Sequence, residues 1–212
     1  MSRATTRSDK TRRHILDAAE QHFLARGYTG TRVEEVAAAA HVSVGTVYLH
    51  YASKEGLYAA VLARAQLALL DDYLAPVFEL DLPPWERILA WCHAYVQFTI
   101  DHSGRARLMT IIEWWEAARP PELDRQLRER VRESDAQLCA VFQEAADAGE
   151  LGGADPARAN RVVSSSMYGI CALNIRHDEL SLPPDALHAL VDAGLRLVSG
   201  GRVPGDADQI DA

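Results

Sequence analysis

Apolar residues recur along the chain at helical spacing, and no segment alternates with the two-residue period of a strand. Between Lys10 and about Arg26, Ile15, Leu16, Ala19 and Phe23 fall on one face. Gly27 then suits a left-handed C-cap. Thr31-x-x-Glu34 reads as a capping box, opening a second helix through Val33, Val36 and Ala37 to Ala40. Ser43 is a good N-cap for a short third helix from Val44 to about Tyr51. Ser53 caps a fourth, with Leu57, Tyr58, Val61, Leu62 and Ala65 along one face.

Longer helices separated by breakers follow. One spans 83–101 and opens at Pro83-Pro84; another spans 105–118. Pro120-Pro121 starts a long one that runs to about Ala148 and stops at Gly149. Asp155-Pro156 places an N-cap ahead of proline at the first helical position, for a helix to about Arg176. The last runs from Pro184 to about Val198 and stops at Gly200-Gly201. The pattern predicts an all-α protein of about nine helices, with a small N-terminal three-helix unit and a larger C-terminal bundle. It divides into a disordered basic arm at 1–9, a helix-turn-helix domain at 10–56 (motif about 33–52), a bundle at 57–200 and a flexible tail at 201–212.

Charge sharpens this division. The 212 residues carry a net charge of −8, which opposes non-specific nucleic-acid binding by the molecule as a whole. Residues 1–56 nevertheless hold eight Lys or Arg against six acids, a surplus of two, leaving −10 for the remainder. Such polarity points to a polyanion at the N-terminal end. Three cysteines, Cys92, Cys139 and Cys171, are odd in number and far apart, so neither a disulfide framework nor a Cys-x-x-Cys metal site is expected. Cys92-His93, with His177 elsewhere, puts no two ligands on one helical face, so no metal is expected. His14, His22, His102 and His188 read as surface or satisfied residues. No apolar run approaches the ~20 residues of a membrane span, and the expectation is a soluble cytoplasmic protein with reduced thiols. No Gly-rich phosphate loop, Gly-x-Ser-x-Gly or His-Glu-x-x-His occurs, so no cofactor and no enzymatic activity are expected.

The second and third helices, about eight residues each around a three-residue turn, form a helix-turn-helix. Ala37 is small where they would cross, position 41 needs a left-handed backbone, and Val36, Val42 and Val47 are apolar where contacts must be buried. Such a unit places the start of its second helix in the major groove of DNA.

The stretch "ILDAAEQHFLARGYTGTRVEEVAAAAHVSVGTVYLHYASKEGLYAAVL", Ile15 to Leu62, resembles the DNA-binding domain of the tetracycline-repressor family of transcriptional regulators. The resemblance implies roles position by position. Thr31 and Arg32 would meet a phosphate at a helix N-terminus. Ser43, Val44, Gly45 and Thr46 would approach base edges, with Tyr48, Leu49 and His50 along the groove walls and Lys54 on a phosphate. Arg7, Lys10, Arg12 and Arg13 would add contacts from the arm. His41 stands where the family usually has glycine. Val44 replaces a frequent Lys or Arg and suits a thymine methyl.

The resemblance also implies a homodimer and a small-molecule effector. Residues 155–177 and 184–198 are the candidate dimer helices. Ser164, Ser165, Ser166, Gly169 and Ala172 permit close approach, and Leu187, Leu190, Val191, Ala193, Leu195 and Leu197 form a broad apolar surface. Candidate effector contacts of apolar or aromatic character are Trp91, Tyr95, Phe98, Met109, Glu113, Trp114, Trp115, Phe142, Met167 and Tyr168, with Glu113 and Glu116 flanking the tryptophans. The expected function is a ligand-responsive regulator on a near-palindromic operator, a repressor being the commoner outcome. A helical protein adaptor and a helical enzyme without a recognisable motif are the alternatives.

Overall fold

The computed structural model describes residues 3–109, 120–176 and 179–199, with side chains from Ser8 onward. Among them there is no strand. The helices are α1 (Arg3–Gly30), α2 (Val33–Ala39), α3 (Val44–Tyr51), α4 (Lys54–Ala68), α5 (Ala75–Phe78), α6 (Pro84–Asp101), α7 (Ser103–Met109), α8 (Pro121–Asp147), α9 (Pro156–Ile175) and α10 (Pro184–Val198). A π-helical turn, Leu69–Leu74, joins α4 to α5 without a break, so Lys54–Phe78 counts as one rod and the described rods number nine. None is long and apolar enough to cross a membrane. The expected tail at 201–212, Gly200-Gly201 and His177 lie outside the described residues.

The chain folds as two compact units. The first holds α1, α2, α3 and α4 as far as Leu67, together with the first turns of α8 up to Arg128; the second holds the other described residues. The boundary therefore follows Leu67, where the sequence suggested residue 56. The reason is composition: one apolar face was visible on α4, but Ala59, Ala60 and Ala63 are also buried.

In the first unit Ile15, Ala19 and Phe23 of α1 meet Val36, Val47 and the α4 residues Leu57 and Tyr58 in a core. Phe23 and Tyr28 both pack edge-on against Tyr58, with centroids 4.8 and 5.1 Å away. Truncating a fully buried aromatic such as Phe23 costs about 3–5 kcal/mol. α1 starts at Arg3 rather than Lys10, so residues 3–9 are helical where an unstructured arm was expected. Gly27 interrupts the helix as expected, with the positive φ of 68°, but its ψ of 179° lies outside the left-handed helical range, a combination reserved for glycine; across this kink a short helical stretch runs on to Gly30. The capping box does not form. Arg32, not Thr31, is the N-cap of α2, and no side chain caps that helix.

In the second unit α6 packs against α9 and α10 and buries Trp91, Cys92, Tyr95, Val96 and Phe98. Asn174 of α9 donates to the Thr99 carbonyl of α6 at 2.9 Å. Breakers act as expected at two ends. Asp155 accepts from the Arg158 N–H at 2.8 Å, and Gly149 ends α8 with φ 76°.

Candidate nucleic-acid interface

The turn between α2 and α3 is a Schellman motif built around His41. Val42 N–H donates to the Ala37 carbonyl at 2.9 Å and His41 N–H to the Ala38 carbonyl at 3.1 Å, the paired bonds that close a helix C-terminus. His41 takes φ 55°, the left-handed value the sequence required. Ser43 then caps α3, its Oγ accepting from Thr46 N–H at 3.1 Å. The two hydroxyls lie 2.8 Å apart, which fixes both side chains at the outer end of the helix.

Inside, Val47 and Tyr51 anchor α3. Both are buried, while Val42 is only half-buried. The Tyr51 hydroxyl donates to the Arg12 carbonyl of α1 at 2.9 Å, and the Arg12 guanidinium sits 5.9 Å from the ring centroid. Burial raises the Tyr51 hydroxyl above its ordinary pKa, so it stays a donor. At its far end Ala52 takes φ 59°, a left-handed position that no sequence signal announced.

Outside, Arg32, Ser43, Gly45, Tyr48 and Leu49 are exposed, and Val44, Thr46, His50 and Lys54 are half-covered. Leu49 is 82% exposed, an apolar side chain that nothing in the first unit covers. Gly45 has open space around it. A Cβ there would meet only the Ser43 Oγ, at 3.8 Å, so no protein atom requires the glycine. Lys54 lies with its Nζ 4.4 Å from the Tyr28 ring centroid, and Tyr28 donates to Glu55 at 2.5 Å. That hydroxyl is the main reason the Glu55 carboxyl sits below its ordinary range. Arg26 is spent on Glu35 at 2.5 Å, whereas no acidic side chain among the described residues pairs with Arg13 or Arg32.

One expected contact is corrected. Thr31 is 1% exposed, and its hydroxyl donates to the Gly27 carbonyl at 2.8 Å. It braces the bend in α1, and its side chain does not reach the surface a phosphate would touch.

In the second unit, six of the candidate effector contacts, Trp91, Tyr95, Phe98, Met109, Phe142 and Met167, are buried, while Glu113, Trp114 and Trp115, with Glu116, lie outside the described residues. Trp91, Tyr95 and Tyr168 come together, with ring separations of 5.7 and 6.1 Å. The Trp91 Nε1 is buried without a hydrogen-bond partner among the described residues. Phe98 belongs to a different group, against Tyr73 and His102. His188, read as surface or satisfied, meets His93 across α6 and α10 at 2.6 Å between the Nδ1 atoms, and His93 Nε2 meets Asp192 at 3.0 Å. Among the described residues no three His, Cys, Asp or Glu converge on a metal position.

The candidate dimer helices divide differently from expectation. Leu187, Val191 and Leu195 belong to the core of the unit. What faces outward is Val162, Ser165, Ser166 and Gly169 on α9 and Leu190, Ala193 and Leu197 on α10.

Comparison with known proteins agrees with this layout. Residues 15–61 match the family model described as bacterial regulatory proteins, tetR family. Residues 88–198 match that of the tetracyclin repressor-like C-terminal domain. The HTH-type transcriptional repressor DhaR of Mycobacterium sp. (strain GP1) is 32% identical over 93 residues, 44% of this chain and 46% of that protein. The HTH-type transcriptional regulator RutR of Escherichia coli (strain K12) is 35% identical over 109 residues, 50% of this chain and 48% of that one. The match thus spans about half the length of these curated relatives. Among solved structures, a tetR-family regulatory protein from Rhodococcus RHA1 superposes with a TM-score of 0.68 at 23% identity, covering 93% of this chain and 98% of that one. AibR, solved in complex with isovaleryl coenzyme A and operator DNA, superposes with a TM-score of 0.63 at 22% identity, covering 86% of this chain and 97% of that one.

Proposed function

Because the chain belongs to the tetR family of bacterial regulatory proteins, we propose that it is a ligand-responsive transcriptional regulator that reads operator DNA through α3, as a repressor released by a small molecule. The family consists of DNA-binding regulators rather than enzymes, and such a regulator works in the cytoplasm, beside its DNA.

The observation that carries this reading is the outward face of α3. A short helix is capped and pinned from within, yet presents Ser43, Gly45, Tyr48 and Leu49 to solvent. In the major groove Ser43, Val44, Gly45 and Thr46 approach base edges, and Tyr48, Leu49 and His50 line the walls. Arg32, at the N-terminus of α2, and Lys54 take phosphates, with Lys10, Arg12 and Arg13 of α1 beside them. The Arg7 side chain, also expected there, lies outside the described residues. Two copies pair through the outward faces of α9 and α10, which matches a two-fold protein to a near-palindromic site.

The effector binds in the second unit, near Trp91, Tyr95 and Tyr168. A buried indole N–H without a partner is costly, and a ligand acceptor would satisfy it. AibR, with a coenzyme A thioester and DNA in one complex, is an example of this architecture carrying both kinds of partner. Effector binding changes the spacing of the two reading helices by way of α4, and ligand and DNA weaken each other by the same factor.

The test is a gel shift with promoter DNA flanking the protein's own gene. Binding to a short palindrome, weakening steeply with salt, is the expected result. Absence of binding to any duplex at low salt would sink the reading. Lys54→Ala should weaken all sequences alike and flatten the salt slope, whereas Thr46→Ala should change sequence preference.

A further inference from the structure

The first unit contains a cavity away from the outward face of α3, at the side of α1 that carries Arg12 and Arg13. It has a volume of about 260 Å³ and lies between α1, the end of α3, α4 and the first turns of α8. Leu16, Leu67 and Leu123 supply apolar wall, and Arg12, Arg13, Arg64 and Glu122 also line it.

Its charges do not cancel. Arg64 is occupied by Asp17, at 2.5 Å, and by Glu20, although its Nε is buried with no hydrogen-bond partner among the described residues. Glu122 is held by Arg125, which meets both carboxylate oxygens at 2.6 Å. Arg12 lies over the Tyr51 ring, and no carboxylate among the described residues pairs with Arg12 or Arg13. Two guanidinium groups therefore remain unneutralised beside an apolar hollow. A guanidinium binds carboxylate through a planar fork of donors, and the hollow takes an apolar body.

We propose that this cavity binds a small amphipathic monocarboxylate, whose carboxylate meets Arg12 and Arg13 and whose hydrocarbon lies against Leu16, Leu67 and Leu123. At roughly 30 Å³ per methylene-sized group, the share of a water molecule in the liquid, the cavity holds about eight or nine such groups, the size of an octanoate chain. The site is separate from the effector site in the second unit. Its regulatory consequence rests on the DNA-binding reading above: Arg12 and Arg13 would also meet phosphates, so carboxylate and DNA compete for the same cations.

The experiment is calorimetric titration of the full chain with sodium octanoate, octanol and octylammonium, and repetition with Arg13→Gln and Leu123→Trp. Octanoate should bind and octanol should bind at least about tenfold more weakly, having lost the charge-assisted bonds to Arg12 and Arg13. Leu123→Trp, which fills the cavity from a half-exposed position, should abolish octanoate binding without lowering the thermal midpoint. Arg13→Gln, at an exposed position, should weaken octanoate and leave octanol unchanged, and it decides the matter should Leu123→Trp disturb folding. Equal binding of octanoate and octanol, no heat at millimolar octanoate, or full octanoate binding by both variants would overturn the proposal. A mixed-sequence duplex added at low salt separates the two readings. Octanoate binding without any DNA binding keeps the anion site and removes the regulator; DNA binding without octanoate binding does the reverse.

Discussion

At position 45 the protein itself asks for nothing. Glycine within a helix costs about 1 kcal/mol relative to alanine, and here no neighbour repays it, since a Cβ would find open space. Gly45→Ala should therefore raise the urea midpoint by an amount equivalent to up to about 1 kcal/mol, and lower affinity for DNA in the same preparation. Stabilisation without loss of binding would mean that bases do not come close to this backbone. His41 is the converse case. Its left-handed φ serves the turn, and an L-residue there costs about 1–2 kcal/mol. His41→Gly should stabilise by about 1 kcal/mol, and His41→Val should destabilise, both read from urea denaturation. Position 41 was legible because the turn demands one backbone geometry and few residues supply it. Thr31 was not, because Thr-x-x-Glu fits a capping box equally well whether the hydroxyl turns toward α2 or back to Gly27. Thr31→Val should cost about 1 kcal/mol of stability and spare DNA affinity, while Arg32→Ala should do the opposite.

Among the elements, α6 and α10 meet through a pair of histidines. The His93 and His188 Nδ1 atoms face each other, and one proton suffices for that contact; two would set donor against donor. His188 is held below its ordinary 6.5 by burial and by His93, against the opposing pull of Asp192 and Asp185. As pH falls below 6.5 the unfolded chain gains a proton that the folded chain resists, so stability present above that value is lost in the window beneath it. Urea midpoints at roughly pH 7.5 and roughly pH 5.5 should diverge in the wild type and converge in His188→Gln; an unchanged acid loss in the variant would assign it elsewhere. Sequence could not pair residues 93 and 188, because the crossing of two helices fixes which turns meet. It did locate both helices, since Pro83-Pro84 and Pro184 are local instructions, as Asp155-Pro156 and Gly149 are for α9 and α8. The π turn at Leu69–Leu74 left no mark in the apolar spacing. Likewise, apolar spacing showed that α10 has leucines on several sides. It could not show that Leu187, Val191 and Leu195 turn to the core and Leu190 and Leu197 away from it.

For the molecule as a whole, charge is unevenly spread: residues 1–56 carry a surplus of two positive charges and the remainder −10. A chain of net charge −8 should show a salt slope set by the few cations of α1, α2 and α4, and each neutralised cation should reduce that slope by about one. Val162→Glu with Leu197→Glu should leave a folded monomer by light scattering and weaken operator binding far more than Arg32→Ala or Lys54→Ala. The outward strip of α9 and α10 lies in one compact unit and α3 in the other, and this separation has a genetic reading. On the proposed pairing through this strip, a copy with a ruined α3 would still pair with intact copies and spoil them, so such alleles should be dominant over the wild type in a merodiploid cell. A copy with a ruined strip pairs with nothing and harms no partner, so its allele should be recessive.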